Sequence, residues 1–227
     1  MSNQGYNALF VFMLYLANGV SFAAQSGYGE TLYEEKFESV EHTYLPNNFF
    51  VLEGKFVVTS KSGRKCLMMS GNPVGEHGFL FGPRINWENV ELSFSCLGGY
   101  KSRRHNVFAG ALGGIRGLNF RINPAPQEIL LHGKDDWEKS FPTTWSSKEW
   151  MRVFILAEFD PVEEQTRLRI DVLKESAPLH PSSKSSIVLN SRLQTGKCAL
   201  WGFSYAEQPM YWDDLLIRAV RKKSDPG

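Results

Sequence analysis

Planar polar side chains alternate along two neighbouring segments near the middle of the 227-residue chain. Asn119 and Arg121 occupy alternate positions of one segment, and Glu128 and His132 share one phase of the next. In an extended chain alternate side chains point to the same face, so each segment presents its polar residues together. Such groups donate and accept hydrogen bonds in fixed planes, which suits the hydroxyl groups of a sugar. Two arginines complete the polar candidate ligand-binding residues: Arg104 and Arg116.

Tryptophan supplies the apolar half of such a site, because an aromatic face can cover the C–H patches of a sugar ring. The chain contains six tryptophans. Trp137 and Trp145 lie in a polar connection, which makes them the candidate stacking residues. Trp201 and Trp212 lie within strand patterns, and we expect both in the core.

The elements that must position these residues are β-strands. Two-residue alternation recurs along the chain, as in Val90–Leu97, where apolar residues alternate with Glu and Ser. About a dozen such segments separated by Gly, Pro, Asn and Ser predict an all-β fold of two packed antiparallel sheets. We expect one domain at residues 24–221 and a disordered tail at 222–227.

The N-terminus has the features of a secretory signal peptide. Residues 8–17 form an uncharged apolar run, which is too short to cross about 30 Å of hydrocarbon. Small residues at positions 21 and 23 follow, as signal peptidase prefers. We predict a signal peptide at 1–23 and a secreted, periplasmic or cell-envelope protein without membrane attachment after cleavage. A buried N-terminal element and a retained anchor are the alternatives.

Charge and cysteine content exclude several classes of partner. A formal net charge of +1 gives no electrostatic basis for binding nucleic acid. Cys66, Cys96 and Cys198 allow one disulfide and one free thiol, or three buried free thiols. The cysteines and histidines lack zinc-site spacing.

Several segments follow one another in a distinctive order: 32–37 (LYEEKF), 50–58 (FVLEGKFVV), 82–83 (GP) before the strand at 90–97, 108–122 (FAGALGGIRGLNFRI), 199–202 (ALWG) and 211–217 (YWDDLLI). This order resembles the concanavalin A-like lectin/glucanase superfamily, in particular the LamG-like and 3-keto-disaccharide-hydrolase-like jelly rolls of secreted bacterial proteins. The resemblance covers roughly residues 30–220. It implies a jelly-roll sandwich whose concave face holds an extended saccharide, and in several members a structural calcium ion near the last strand.

Acidic side chains of the sequence could serve as metal ligands or as catalysts. Asp213 is the candidate calcium ligand, since only one of Asp213 and Asp214 can face a site on a regular strand. The acidic residues form clusters such as Glu34-Glu35, Glu163-Glu164 and Asp213-Asp214, and neighbours along a strand point to opposite faces, so we do not expect these clusters to supply the two facing carboxylates that glycosidases need.

Three functions remain open from the sequence. The first is a secreted, non-catalytic carbohydrate-binding module whose partner is a polysaccharide or glycan. The second is a glycoside hydrolase-like enzyme that would use Arg121, Glu128 and His132. The third is a structural spacer domain of an envelope protein.

Overall fold

The computed structural model describes residues 28–40, 45–133, 137–177 and 185–221. These residues form seventeen β-strands and no helix. The strands are β1 Tyr28–Glu35, β2 Phe50–Glu53, β3 Phe56–Lys61, β4 Arg64–Met69, β5 Glu76–Ile85, β6 Val90–Leu97, β7 Tyr100–Lys101, β8 Arg104–His105, β9 Val107–Leu112, β10 Leu118–Asn123, β11 Glu128–His132, β12 Glu138–Pro142, β13 Met151–Asp160, β14 Gln165–Lys174, β15 Ser186–Leu189, β16 Gly196–Phe203 and β17 Met210–Val220. The predicted signal peptide and tail lie outside the described residues. A helix able to cross a membrane does not occur in this described part of the chain.

Two large antiparallel sheets contain all the strands except a short ribbon of β7 and β8. Sheet A has eight strands in the order β15-β14-β13-β6-β17-β4-β3, and β1 pairs with β17. Sheet B has seven strands in the order β12-β11-β10-β9-β16-β5-β2. Neighbours such as β9 and β16 are far apart in the sequence, so the pairing is largely long-range.

The core lies between the two sheets. Trp212 of sheet A is fully buried and meets two rings of sheet B edge-on, Phe79 at 5.7 Å and Phe108 at 5.4 Å between ring centroids. Further along, Phe94 of sheet A lies 6.3 Å from Phe120 of sheet B. Because each ring occupies the inward phase of its strand, alternation along the sequence is sufficient to build this interface. The predicted two-sheet antiparallel sandwich is confirmed, and Trp212 is in the core as expected.

The three cysteines are buried and free. Burial raises the pKa of the Cys66 thiol to about 11 and raises those of Cys96 and Cys198 well above their usual value. Of the two alternatives that the sequence left open, the structure has three buried thiols and no disulfide among them.

Candidate functional site

The outward side of sheet B brings together four polar residues that the sequence singled out. Asn119 and Arg121 alternate with buried residues of β10, so they point away from the core. Asn119 lies opposite His132 across the β10–β11 pair, and Asn123 lies opposite Glu128. Directly opposed residues of antiparallel strands have Cβ atoms about 5 Å apart. These half-buried side chains therefore form one surface. We call this surface the sheet B face, and it also includes the outward-pointing residues of β9, β16 and β5.

An aromatic stripe follows β16 across the sheet B face. Trp201 and Phe203 alternate with the buried Leu200 and Gly202, so both rings point outward. Strand geometry spaces their Cα atoms by about 6.6 Å. Tyr205 follows the end of the strand, is 40% exposed, and its ring lies 5.8 Å from that of Phe203. We call Trp201, Phe203 and Tyr205 the aromatic stripe.

Arg121 joins the polar half of the face to the aromatic stripe. Its guanidinium carbon lies 4.6 Å from the centre of the Phe203 ring, a distance at which the positive charge is attracted to the ring face. Ala109 of β9 pairs with Arg121 of β10 on one side and with Trp201 of β16 on the other. The buried Nε of Arg121 has no hydrogen-bond partner among the described residues. The guanidinium is thus held by the ring and not by a carboxylate of the described residues.

Small residues set the position of the Trp201 indole. Trp201 lies opposite Gly78 of β5, and a Cβ atom at position 78 would come within 2.3 Å of its Cδ1. Carbon atoms in contact normally lie about 3.5–4.0 Å apart, so only glycine leaves room for the ring. On its other side the neighbour is Ala109, which is also small. The indole therefore packs against the sheet surface, half-buried.

The tryptophans are distributed differently from the sequence-based expectation. Trp145, a candidate stacking residue, is 7% exposed; its ring packs 5.4 Å from Phe108 and its Nε1 donates to Ser147 at 3.1 Å. Trp137 is half-buried and packs against the core. Trp201, which was expected in the core, occupies the outward phase of β16. The expectation for Trp201 was wrong because its phase of β16 faces away from the other sheet. The expectation for Trp145 was wrong because its connecting segment folds back so that the ring packs on Phe108.

Glu128 and His132 are held by neighbours and are separated from each other. The Glu128 carboxylate accepts hydrogen bonds from Asn123 Nδ2 at 3.1 Å and Ser140 Oγ at 2.8 Å. His132 Nδ1 lies 3.3 Å from Glu138 Oε2. Four residues along a strand separate Glu128 from His132 by about 13 Å. That exceeds the roughly 5–9.5 Å between the two acids of a glycosidase, so the pair is better placed to position a ligand than to cleave one.

The two remaining arginine candidates lie at opposite ends of the sheet B face. Arg104 lines a cavity of about 380 Å³ with Asn123 and Tyr205, and its Nη1 lies 3.5 Å from Glu207 Oε1. Arg116 lines a cavity of about 460 Å³ beside the turn between β9 and β10. Strand β9 spans about 17 Å between these ends. The face is therefore a long surface with one cavity at each end.

Comparisons with known proteins bear on the fold. The sequence matches no family model and no curated protein. Its structure is similar to the exoplasmic/lumenal domain of VIP36 in its Ca²⁺- and Man3GlcNAc-bound form, with 10% identity and a TM-score of 0.55 over 82% of this chain and 93% of that one. It is also similar to the botulinum neurotoxin serotype D binding domain, with 13% identity and a TM-score of 0.52 over 86% of this chain and 49% of that one. The carbohydrate-binding module CBM66 from Bacillus subtilis aligns with 7% identity and a TM-score of 0.46 over 76% of this chain and 96% of that one.

The fold is a concanavalin A-like jelly-roll sandwich. This agrees with the resemblance found in the sequence. At such low identities the similarity concerns the fold, and the arrangement of this chain's own residues must carry any functional argument.

Asp213, the candidate calcium ligand, belongs to an ion-pair cluster on the outward side of sheet A. Arg64 donates from Nε to Asp213 at 2.5 Å, from Nη2 to Asp214 at 2.8 Å, and from Nη1 to both oxygens of Glu175 at 2.7–2.8 Å. Arg152 lies 3.2 Å from Glu175 and 3.3 Å from Asp214. Burial raises the pKa of Asp213 to about 6, although its hydrogen bond with Arg64 acts in the opposite direction.

A β-bulge explains why both aspartates take part in this cluster. The β17–β6 register shifts between Asp213 and Leu216, and Asp214 has a φ of 49°. A bulge adds one residue to a strand and redirects the neighbouring side chains, so consecutive aspartates reach the same guanidinium. The expectation that only one of the pair could face a site was therefore wrong.

The surroundings of Asp213 do not fit a calcium ion. Calcium requires six to eight oxygen ligands, whereas these carboxylates are paired with two guanidinium groups. Among the residues that the structure describes, no group of three or more His, Cys, Asp or Glu is arranged to hold a metal. The cluster is consequently interpreted as a structural ion-pair network.

The aromatic stripe is the part of the site that sequence reasoning missed. Trp201, Phe203 and Tyr205 follow one another at intervals of two residues, and that regular spacing was the available signal. The neighbouring Gly78 and Arg121 could not be assigned to the stripe from the sequence, because β5 and β10 are distant from β16 along the chain.

Proposed function

We propose that this protein is a secreted, non-catalytic carbohydrate-binding module that holds a polysaccharide or glycan on the sheet B face. The observation that carries the proposal is the position of Arg121, which lies on the ring of Phe203 and is separated from Trp201 by Ala109. Aromatic rings cover the apolar side of a sugar, while planar polar groups bind its hydroxyl groups. Both kinds of group lie next to each other here.

The shape of the face supports an extended ligand. The aromatic stripe runs along the strand direction, and two successive rings are about 6.6 Å apart along β16. Asn119 and Asn123 lie on β10 and Glu128 lies on β11, which are separated from β16 by the small residues of β9. A chain of sugars lying along β16 would meet aromatic rings beneath it and amide and carboxylate groups at its flank.

The fold is compatible with such a role. The VIP36 domain with the same fold was determined with Man3GlcNAc bound. A secreted location is supported by the apolar run at residues 8–17 and the small residues at 21 and 23.

Cleavage of the ligand is not favoured by the geometry. Asn123 and Ser140 already donate hydrogen bonds to the two carboxylate oxygens of Glu128. Along β11 it lies about 13 Å from His132, which is farther than the separation of the two catalytic groups in glycosidases. We therefore place Glu128 among the binding residues.

Affinity electrophoresis tests the proposal. The protein would be run in native gels that contain a neutral β-glucan, a mannan, polygalacturonate or a sulfated galactan, next to a reference protein that binds none of them. We expect retardation in at least one gel and no release of reducing ends when that polysaccharide is incubated with the protein. Absence of retardation in every gel would contradict sugar binding. Release of reducing ends that Glu128→Gln abolishes would contradict the non-catalytic part.

A further inference from the structure

Three cationic side chains surround the cavity at the β9–β10 end of the sheet B face. This cavity, of about 460 Å³, is lined by Arg84, Arg116 and Lys197, together with Leu80, Ile115, Thr195 and glycines 113, 114 and 196. No carboxylate is found among the described residues that line it. We call it the cationic end cavity.

Glycine residues fix one wall of the cationic end cavity. Gly113 has a φ of +87°, and a Cβ atom at Gly196 would come within 2.4 Å of the carbonyl carbon of Gly113. The Gly114 N–H donates to the carbonyl of Lys197 at 2.8 Å. Backbone thus packs directly on backbone, which side chains at these positions would prevent. The turn that carries Arg116 is held against the start of β16, next to Lys197.

The charges around the cavity are not neutralised within the described part of the protein. Arg84 and Arg116 form no ion pair with a described carboxylate, and the Lys197 ammonium donates to the carbonyl of Gly82. Several other arginines do have carboxylate partners: Arg64, Arg104, Arg152, Arg169, Arg192 and Arg218. Like charges repel when they share a small volume, and an anion at their centre relieves that repulsion. The arrangement therefore favours an anionic partner.

The cationic end cavity opens onto the same face as the aromatic stripe. Lys197 occupies the outward phase of β16, as Ala199 and Trp201 do. Leu80, which lines the cavity, lies opposite Ala199. Trp201 follows Lys197 by four residues, which is about 13 Å along the strand. A single extended ligand can therefore reach both places.

We propose that the cationic end cavity binds the acidic group of an anionic glycan, a carboxylate or a sulfate ester, whose neighbouring sugars lie on the aromatic stripe. This inference rests on the proposed function and names its ligand class. Arginine suits the role because its planar guanidinium forms two parallel hydrogen bonds to carboxylate or sulfate-like oxygens. At the other end of the face Arg104 is paired with Glu207. The acidic group of the ligand should therefore bind at the cationic end cavity and not at the Arg104 end, which fixes the orientation of the ligand along the face.

The test compares two double variants that remove the same charge. Arg84→Gln/Arg116→Gln removes two cations of the cavity, and Arg167→Gln/Arg221→Gln removes two exposed cations elsewhere. Trp201→Ala reports on the aromatic stripe. Each protein is run in gels that contain polygalacturonate, its carboxyl-reduced form, a sulfated galactan or its desulfated form. Thermal melting verifies that every variant is folded.

We expect an acidic polymer to retard the wild-type protein, and retardation to fall with added salt. Arg84→Gln/Arg116→Gln should weaken binding about tenfold, while Arg167→Gln/Arg221→Gln should leave it within about twofold. Loss of binding on carboxyl reduction would assign a uronate, and loss on desulfation would assign a sulfate ester. Equal binding of the acidic and neutralised polymers, or no difference between the two double variants, would overturn this inference while leaving sugar binding intact. If none of these polymers retards the protein while a neutral β-glucan or mannan does, this inference fails and sugar binding stands; if no polymer of either set retards it, the proposed function itself fails.

Discussion

Replacing Trp201 by alanine should remove most of the affinity for a glycan without unfolding the protein. The indole is half-buried on the sheet B face, between Gly78 and Ala109. If a sugar ring covers about 60 Å² of it, burial at about 25 cal/mol/Å² contributes about 1.5 kcal/mol. That corresponds to a roughly tenfold weaker Kd in Trp201→Ala.

A second variant separates the position of the ring from its presence. Gly78→Ala leaves the indole in the protein but adds a methyl group whose carbon would lie only 2.3 Å from the present position of Trp201 Cδ1. The ring must then move away from the sheet surface. We expect Gly78→Ala to weaken binding by an amount similar to Trp201→Ala, since a displaced ring no longer lines up with Phe203.

Trp150 provides the matched control. It is also half-buried but directly precedes β13 of sheet A, and the guanidinium carbon of Arg64 lies 4.3 Å from its ring centre. Trp150→Ala should lower stability and leave binding unchanged. Titration calorimetry with the polysaccharide identified by electrophoresis would measure all three variants. Unchanged affinity in Trp201→Ala, or an equal loss in Trp150→Ala, would refute the assignment of the sheet B face.

Three further predictions concern the rest of the molecule. Arg64→Ala leaves the buried Asp213 carboxylate unpaired and should lower the free energy of unfolding by about 3 kcal/mol near neutral pH. Because the folded-state pKa of Asp213, about 6, exceeds its ordinary 3.8, ionisation of this carboxyl destabilises the folded state as the pH rises through that range. Urea denaturation should therefore show a smaller loss at about pH 5 than at neutral pH, and an equal loss at both pH values would contradict the network. Cys66, Cys96 and Cys198 are buried thiols with raised pKa values, so a chromogenic disulfide reagent should titrate none of them in the native protein and all three in denaturant; rapid reaction of the native protein would argue against their burial. A calcium chelator should leave the melting temperature unchanged, since the carboxylates near Asp213 are paired with arginines, and a fall on chelation would show that a calcium site exists.

The alternating pattern of the strands was enough to predict the sandwich fold and the outward position of the polar residues on β10 and β11. Alternation in residues 118–123 and 128–132 predicts outward polar residues, and the structure places Asn119 and His132 opposite each other on one face. This works because the side-chain period of a strand is local: each residue's face follows from its immediate neighbours. The binding role of these residues stays a prediction.

Departures from regular strand geometry were invisible to the same reasoning. Asp213 and Asp214 were assigned to opposite faces, whereas the bulge at Asp214 lets Arg64 bind both. Nothing in a run of alternating residues indicates where one extra residue enters a strand, since the insertion is fixed by pairing with two neighbouring strands.

The sequence by itself determined that the chain forms an antiparallel sandwich and which side chains of each strand share a face. Only the tertiary structure decided that β16 lies between β9 and β5, and hence that Trp201 meets Gly78 while Arg121 meets Phe203. The physical reason is that a strand's face is set by a two-residue period, but its neighbours are chosen by long-range pairing and by how the whole core packs. Trp145 illustrates the difference, since its polar surroundings in the sequence gave no sign of Phe108, against which it is buried.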